Sequence, residues 1–449
     1  MVLLINPKTT KVNELNIEFF REPNTGLLYL AAILDLNEIF VEILDIEQYS
    51  HLNYAELDKV IQEKLVGHKI FGITSLTNTF VDAISIAKII KNNDPNNITI
   101  FGGPHVSFLY KNILERDYNK EKLIDFICVG ESEYSFLKLV KILKRINIKY
   151  LKKAPNFEQK INSIEGIAFI NSKQKFKYTG NQTNLIDLSR LPLPARFKLS
   201  PTNYYYSVAN VIVNRGCPNQ CSFCSRQKLF KTTRLRDLDS IAEEIRDIKS
   251  LQSYNFINFY DNINYNSAFF KDFCNLLKKD NLNINWGCEI RIDNINENYA
   301  RLIKEAGCKI IATGIESANK EVLRRNFKYQ DPNKVKEGIE IIKKNNIPIQ
   351  AYFVLGLPGE TEESFQETLE FIKKLPLDEN DKINYFMATP YPGSKLWNNY
   401  DSFGIKIIDH EFSNYDCEHI IFETSELKKN QLKSMFKEAK EIESYFSNN

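Results

Sequence analysis

Two stretches of the chain alternate short apolar runs with segments of helical period, and this alternation constrains the fold more than any other feature. The first stretch covers about residues 1–145, and the second covers about 208–395. Apolar strands that alternate with amphipathic helices are typical of parallel sheets covered by helices. We therefore predict an α/β protein with a doubly wound, Rossmann-like sheet near the N-terminus and a second βα unit after it.

The second stretch predicts a partial (β/α)6 barrel. It has six strand candidates, fewer than the eight of a closed βα barrel, and they are Val211–Val213, Phe256–Tyr260, Ile284–Ile290, Lys309–Thr313, Pro348–Leu355 and Ile383–Met387. A barrel of this size stays open on one side. We predict an N-terminal domain at 1–145 and a linker with a small β element at 146–205. The barrel follows at 206–395, and a small C-terminal helical cap at 396–449.

Several helices can be predicted from apolar residues at helical spacing. In the barrel the predicted inward faces carry Ile241, Ile245 and Ile248; Val335, Ile339 and Ile342; and Phe365, Leu369 and Ile372. In the first stretch the predicted face carries Val81, Ile84, Ala87 and Ile90. The last predicted helix runs from about Leu427 to Phe446.

Composition excludes several classes of protein. The 449 residues include 59 basic and 57 acidic side chains, so the net charge of +2 offers no electrostatic footprint for nucleic acid or an anionic membrane. No apolar run approaches the ~18 residues of a membrane span, and the N-terminus does not resemble a signal peptide. Eight cysteines are too few for a disulfide framework, so we expect reduced thiols and a cytoplasmic location.

Three of the cysteines stand together on one loop. Cys217, Cys221 and Cys224 follow a strand candidate with the spacing C-x3-C-x2-C. A structural zinc site requires four ligands, yet the next cysteine, Cys274, is about fifty residues away and no histidine lies near. Three thiolates can instead bind three irons of a [4Fe–4S] cluster and leave the fourth iron open to a small molecule.

Polar residues also follow the later strands of the predicted barrel. Because reacting residues collect at the carboxyl ends of barrel strands, these positions are candidates for binding a ligand. Taken singly, each has an ordinary explanation, such as a solvated charge or a glycine turn. The segments are Tyr260–Asn262, Glu289–Arg291, Gly314–Ser317 and Gly356–Gly359.

The cysteine loop resembles the signature of the radical S-adenosylmethionine (SAM) superfamily. The resemblance implies that SAM binds the open iron and is cleaved reductively to methionine and a 5′-deoxyadenosyl radical, which abstracts a substrate hydrogen. It also implies SAM contacts at Phe223, Asp261, Arg291, Glu316, Gly356 and Gly359. Among these, Arg291 would pair with the methionyl carboxylate and Glu316 with the ribose hydroxyls. Phe223 could instead be an ordinary core residue.

The N-terminal stretch resembles the cobalamin-binding domain of cobalamin-dependent radical SAM enzymes. The shared motifs are Asn6-Pro7, Pro23-x-x-Gly26, Asp45, Gly72–Thr77, Gly102–His105 and Gly130-Glu131, and the barrel adds Leu191–Pro194, Gly314–Ser317, Gly356–Glu360 and Thr389–Ser394. The implied cobalamin contacts are Ser75, Thr77, Gly102, Gly103, His105, Gly130 and Glu131. The Asp-x-His-x-x-Gly motif that supplies an axial histidine elsewhere is absent. We therefore expect cobalamin without a histidine ligand, or none, and His105 is better explained as a loop histidine.

The resemblance implies a two-cofactor methyl transfer, in which cobalamin carries a methyl group to a carbon that the radical has activated. Two alternatives stay open: oxidation, cyclisation or rearrangement without methyl transfer, and a non-catalytic cobalamin sensor. A methylthiotransferase is less favoured, because Cys128 is the only cysteine of the first stretch. The expected partners are an electron donor such as flavodoxin or ferredoxin and a small-molecule or peptide substrate that the sequence does not identify.

Overall fold

The computed structural model describes most of the chain, as residues 1–8, 22–115, 119–145, 156–199, 206–260, 267–279 and 282–447. The described chain forms two compact units, residues 1–206 and 207–449. No helix in the described part combines the length and the apolarity that crossing a lipid bilayer requires.

The first unit is built on a seven-stranded sheet in the order β2-β1-β3-β4-β5-β6-β7. Its strands are β1 Val2–Asn6, β2 Val41–Asp45, β3 Ile70–Thr74, β4 Ile98–Gly102, β5 Phe126–Cys128, β6 Ile167–Ile170 and β7 Phe176–Tyr178. Its helices are α1 Thr25–Leu36, α2 Tyr54–Leu65, α3 Phe80–Asn93, α4 Pro104–Glu115, α5 Glu133–Lys144 and α6 Phe157–Asn162. Strands β1 to β5 are parallel, as predicted, and they are buried because helices cover the sheet.

Two features of the first unit differ from the prediction. The small β element predicted in the linker is present as β6 and β7, but these strands belong to the first sheet, which they extend in antiparallel fashion. The predicted face of α3 is wrong in part, because Val81 is exposed. The buried stripe of α3 instead begins at Phe80 and continues through Ala83, Ile86, Ala87 and Ile90.

The second unit contains a six-stranded parallel sheet in the order β8-β11-β12-β13-β14-β15, which is the order of a partial (β/α)6 barrel. These strands are β8 Val208–Ile212, β11 Phe256–Tyr260, β12 Trp286–Glu289, β13 Cys308–Glu316, β14 Ile349–Leu355 and β15 Lys382–Met387. Two small antiparallel pairs are formed by β9 Asn214–Arg215 with β10 Arg234–Leu235 and by β16 Lys406–Ile407 with β17 Phe422–Glu423. The helices are α7 Arg226–Phe230, α8 Leu238–Leu251, α9 Ser267–Lys279, α10 Glu297–Glu305, α11 Lys320–Arg325, α12 Pro332–Lys344, α13 Glu362–Lys373, α14 Lys395–Asn398 and α15 Lys429–Ser447.

The three helical faces predicted for the barrel are all buried in one hydrophobic core. The C-terminal helix α15 shares this core through Leu432, Met435 and Ala439. It also protects an edge of the sheet, because the carboxylate of Glu443 accepts the backbone N–H of Tyr385 on edge strand β15 at 3.0 Å. The C-terminal segment is therefore part of the second unit's core.

Candidate active site

A short antiparallel ribbon closes the base of the cysteine loop. Strand β9 comes almost directly after β8 and pairs with β10, so residues 216–233 form a loop at the carboxyl end of β8. At the base of the loop Gly216 has a φ of +89°, and a Cβ atom there would lie 2.2 Å from the carbonyl oxygen of Thr232. Glycine is required because the two limbs approach so closely. The ribbon thus holds the three cysteines on one compact loop.

The three thiols lie within electrostatic range of one another, since charges on Cys224 and Cys217 both act on Cys221. Partial burial raises the pKa of Cys221 to about 11, against the opposing effect of the Lys328 ammonium. Three thiols are one ligand short of the four that a closed structural zinc site requires. In a [4Fe–4S] cluster each thiolate binds a different iron, so this donor set fits a cluster better than a single ion. Because the thiols must ionise to bind iron, cluster uptake releases protons.

A buried serine anchors the cysteine loop to the rest of the barrel. Ser222 donates its backbone N–H to the carbonyl of Asn326 at 2.9 Å and its hydroxyl to the Asn326 side chain at 2.7 Å. Asn326 in turn donates its amide to the carbonyl of Pro358 at 2.9 Å. This asparagine, which was not predicted as a site residue, therefore joins the cysteine loop to the turn after β14.

Arg291, predicted to bind the SAM carboxylate, is held by protein groups. Its guanidinium forms an ion pair with Asp293 at 2.7 Å and donates to the carbonyl of Tyr329 at 2.6 Å. It also donates to the side chain of Asn219 at 3.0 Å, and the Asn219 amide lies 3.6 Å from the sulfur of Cys217. Arg291 therefore supports the cysteine loop, and a contact with SAM stays a prediction.

Glu316 lies at a strained position at the end of β13. Its φ is +64°, which is uncommon for a residue other than glycine, and the register of β13 shifts between Gly314 and Glu316. Strain of this kind is concentrated at functional sites. The carboxylate is buried and binds the ammonium of Lys328 at 2.8 Å. Contact with SAM ribose remains untested.

Lys328, which the sequence did not single out, is the central charge of this edge. Burial alone would lower its pKa, but Glu316 and Cys221 together raise it above its ordinary value. Burial raises the pKa of the neighbouring Glu289, with Lys328 and Arg226 opposing the shift. The edge beside the cysteine loop thus holds one buried ammonium among carboxylates, an arrangement suited to the charged amino and carboxylate groups of an amino-acid-like ligand.

The backbone geometry of the turn after β14 accounts for its two glycines without a ligand. Gly356 and Gly359 have φ values of +84° and +90°, and a Cβ on Gly359 would lie 2.7 Å from the Arg325 side chain. The backbone N–H of Gly356 donates to the carboxylate of Glu360 at 2.5 Å. Burial raises the pKa of Glu360 to about 8. A close approach of adenine to this turn stays a prediction.

The remaining predicted SAM contacts have different outcomes. Phe223 is partly buried and packs against the hydrophobic cluster that includes Leu357, Leu396 and Tyr415. This contact gives it a packing role, and a role in shielding the cluster is untested. Asp261 lies outside the described residues.

In the first unit, four of the predicted cobalamin residues meet at the ends of β3 and β4. The side chain of Thr77 lies 3.2 Å from Nδ1 of His105, and the backbone N–H of His105 donates to the carbonyl of Ser75. His105 is 1% exposed, and burial lowers its pKa to about 3, so the ring is neutral. Gly103 has a φ of +99°, and a Cβ there would lie 2.6 Å from the carbonyl oxygen of Ser75.

Beside this packed turn, Gly102 opens onto space, since a Cβ placed there meets no atom within 4 Å. The end of β5 carries the other predicted pair. Gly130 donates its N–H to Ser107 at 2.9 Å, and Gln182 donates to the carbonyl of Glu131 at 3.3 Å. A glycine-bearing edge of this kind, whose predicted contacts are uncharged apart from Glu131, fits a large cofactor that approaches the backbone.

A third polar network at this edge was not assigned a role from the sequence. Asp45, at the end of β2, is buried, and burial raises its pKa against the effect of its hydrogen-bond partners. Its carboxylate accepts hydrogen bonds from Asn6 at 2.9 Å and from the hydroxyl of Tyr206. The network ties the last residue of the first unit to the ends of β1 and β2.

Comparison with known proteins agrees with this division. Residues 211–372 match the model of the radical SAM superfamily, and residues 19–140 match that of the B12 binding domain. An uncharacterized methyltransferase of Pyrococcus horikoshii is 30% identical over 84% of this chain and 78% of its own length. The chain belongs to the radical SAM superfamily. Its radical SAM domain uses a [4Fe–4S] cluster and SAM, and its B12 binding domain uses cobalamin.

Two further similarities extend over nearly the whole radical SAM enzyme. The anaerobic magnesium-protoporphyrin IX monomethyl ester cyclase of Rubrivivax gelatinosus is 28% identical over 88% of this chain and 68% of its own. The radical SAM methyltransferase TsrM of Kitasatospora setae, solved with cobalamin and a [4Fe–4S] cluster, superposes with a TM-score of 0.73 at 14% identity. The match covers 97% of this chain and 90% of TsrM. At that identity it supports the fold alone.

Proposed function

We propose that this protein transfers a methyl group from cobalamin to a carbon atom of a small-molecule or peptide substrate. The observation that carries the proposal is the pairing, in one chain, of a three-cysteine loop with a B12 binding domain, in a protein 30% identical to a methyltransferase. When bound, the cluster and SAM supply a radical that activates the substrate carbon, and cobalamin supplies the methyl group.

The chain's own residues have separable roles in this proposal. Cys217, Cys221 and Cys224 bind the cluster, and the Lys328–Glu316 pair orients the amino-acid part of SAM. In the first unit, Gly102 and the turn at Gly103 leave room at the backbone for the corrin. We further propose a cytoplasmic location and a low-potential protein electron donor such as flavodoxin or ferredoxin, because reduced cysteines and a cluster suit both.

Anaerobic reconstitution tests the proposal. The protein loaded with iron, sulfide and cobalamin should contain about four irons per chain. With SAM carrying a labelled methyl group and a chemical reductant, we expect labelled methylcobalamin together with S-adenosylhomocysteine and 5′-deoxyadenosine. The variant with alanine at Cys217, Cys221 and Cys224 should keep cobalamin, lose the iron and form no 5′-deoxyadenosine.

A second candidate function is radical oxidation or cyclisation without methyl transfer. It is favoured by the 28% identity to a cyclase over 88% of the chain. The same experiment separates the two functions. Formation of 5′-deoxyadenosine with cobalamin bound, but without labelled methylcobalamin or S-adenosylhomocysteine, would contradict methyl transfer and support the second candidate.

A further inference from the structure

An open cavity of about 600 Å³ is lined in part by the cysteine loop. Pro218 and Asn219, the two residues that follow the first cysteine, form part of its wall. The segments after β12 and β13 form the rest, with Arg291 and Tyr329 among the lining residues. The cavity therefore adjoins the loop that binds the cluster. It shares Lys328 with the proposed SAM site, whereas its exposed residues have no role in the proposed methyl transfer.

The exposed charges of this cavity are mostly positive. Five cationic side chains and two carboxylates line it, and one of the carboxylates, Asp293, is buried against Arg291. We define the basic rim as the exposed residues Lys320, Arg324 and Lys334.

Two of the three rim cations form ion pairs that a partner can replace. Lys320 pairs with Asp331 at 3.1 Å, and Arg324 pairs with Glu321 at 2.5 Å. These side chains are 40% to 67% exposed. Exposed pairs contribute only about 0–1 kcal/mol, so carboxylates of a docking protein can compete for the cations at low energetic cost.

Two neighbouring residues add features of a contact surface. Tyr329 is 66% exposed, and exposed tyrosines are enriched where proteins contact one another. Gln330 is 8% exposed, yet its amide nitrogen and oxygen have no hydrogen-bond partner among the described residues. Buried amides are normally hydrogen-bonded, so this amide is available to a polar group that enters the cavity.

The cavity is also connected to the cluster loop by hydrogen bonds. Arg291 donates to Asn219 at 3.0 Å, and the Asn219 amide lies 3.6 Å from the sulfur of Cys217. We propose that the basic rim, with Tyr329 and the cavity beneath it, is the docking surface for an acidic one-electron carrier protein that reduces the cluster. The proposal rests on the proposed function, because it requires the cluster to be present.

The electron balance of the step is simple. The reduced carrier, a flavin or iron–sulfur protein, loses one electron, and the cluster gains it and passes from the 2+ to the 1+ state. No atom is transferred and no bond forms in this step. An acidic carrier would be steered by the rim, so its association should be fast at low ionic strength and slow as salt screens the charges.

The test compares two sources of electrons. The rim variant combines the substitutions Lys320→Glu, Arg324→Glu and Lys334→Glu. The control variant combines Lys279→Glu, Lys344→Glu and Lys373→Glu, which have the same change of charge. These control lysines end α9, α12 and α13 and do not line the cavity. Cluster reduction is followed by electron paramagnetic resonance, with dithionite, reduced flavodoxin or reduced ferredoxin as the donor.

We expect the rim variant to accept electrons from the carrier proteins about tenfold or more slowly than the wild type at low salt. The difference should shrink at high salt, while dithionite should reduce all three proteins equally. Carrier rates that are equal in the rim variant and the wild type, or equally slow in the rim and control variants, would overturn the docking surface. A wild-type protein that binds no cluster contradicts the proposed function, and the docking surface falls with it.

Discussion

The carboxyl edges of the two parallel sheets differ in the chemistry that they present. At the first sheet, Ser75, Thr77 and a neutral His105 lie at the turn that holds Gly102 and Gly103, and the predicted contacts are small or uncharged apart from Glu131. At the second sheet, thiols lie beside the buried Lys328–Glu316 ion pair. The difference suggests that the first edge binds its cofactor by shape and backbone approach, whereas the second binds by charge.

The most severe test of the charged edge is the removal of Lys328. Lys328→Met would leave Glu316 buried without a counter-ion, and breaking a buried pair in this way costs about 3–5 kcal/mol. We expect a lower free energy of unfolding, measured by urea denaturation, and weaker SAM binding. The double variant Lys328→Met with Glu316→Gln removes both charges and should recover much of the stability. If the double variant is no more stable than Lys328→Met, the two residues are not coupled.

Glu360 of the second unit is a buried carboxyl that sharpens the comparison. In the described structure no cation is among its hydrogen-bond partners or charge interactions. Its folded pKa of about 8 lies above the unfolded value of ~4.3. The folded state therefore binds the proton more tightly, and this group lowers stability as the pH rises from about 4.5 to about 8. Glu360→Gln keeps an acceptor for the N–H of Gly356 and has no proton to lose.

We expect Glu360→Gln to match the wild type near pH 4.5 and to exceed it at pH 9 by on the order of 2–4 kcal/mol. The measurement is the free energy of unfolding at several pH values, compared as variant minus wild type so that other titrating groups cancel. A difference that does not change with pH would show that Glu360 titrates near its ordinary value in the folded protein.

The neutral edge offers a matched pair of glycines. Gly103→Ala places a Cβ at a φ of +99° and 2.6 Å from the Ser75 carbonyl, so we expect a loss of about 1–3 kcal/mol in stability. Gly102→Ala meets no atom within 4 Å and should leave the melting temperature unchanged. The larger Gly102→Leu should weaken cobalamin binding, followed by absorbance titration, without unfolding the protein. Unchanged cobalamin affinity in Gly102→Leu would remove Gly102 from the site.

Sequence patterns predicted the parallel strands of both sheets and the position of the cysteine loop, because those features depend on local periodicity and spacing. They also predicted a small β element in the connector, where β6 and β7 lie, but not that these strands extend the first sheet, because pairing with β5 depends on contacts between segments distant in sequence. The face of α3 was misplaced because Phe80 and Val81 both begin plausible apolar stripes, and only packing selects Phe80.

The residues that support the site were harder to predict from the sequence than the three cysteines. Lys328 and Asn326 act through residues distant in sequence, namely Glu316, Ser222 and Pro358. A lysine or asparagine after a short helix has no spacing that marks it, so its function appears only in three dimensions. For Arg291, the strand-end position was found, but its bond to Asp293 could not be inferred from the strand pattern.

The smallest expected effect concerns Asn219, whose amide lies 3.6 Å from the Cys217 sulfur. Hydrogen bonds to cysteine sulfurs stabilise the additional negative charge of a reduced cluster and so raise its potential. A hydrogen bond worth about 0.5–1.5 kcal/mol corresponds to roughly 20–60 mV for one electron. Asn219→Ala should therefore lower the midpoint potential by about that amount in an electron paramagnetic resonance titration. The exposed neighbour in Gln220→Ala serves as the control and should leave the potential unchanged. Equal potentials in all three proteins would show that this amide does not tune the potential.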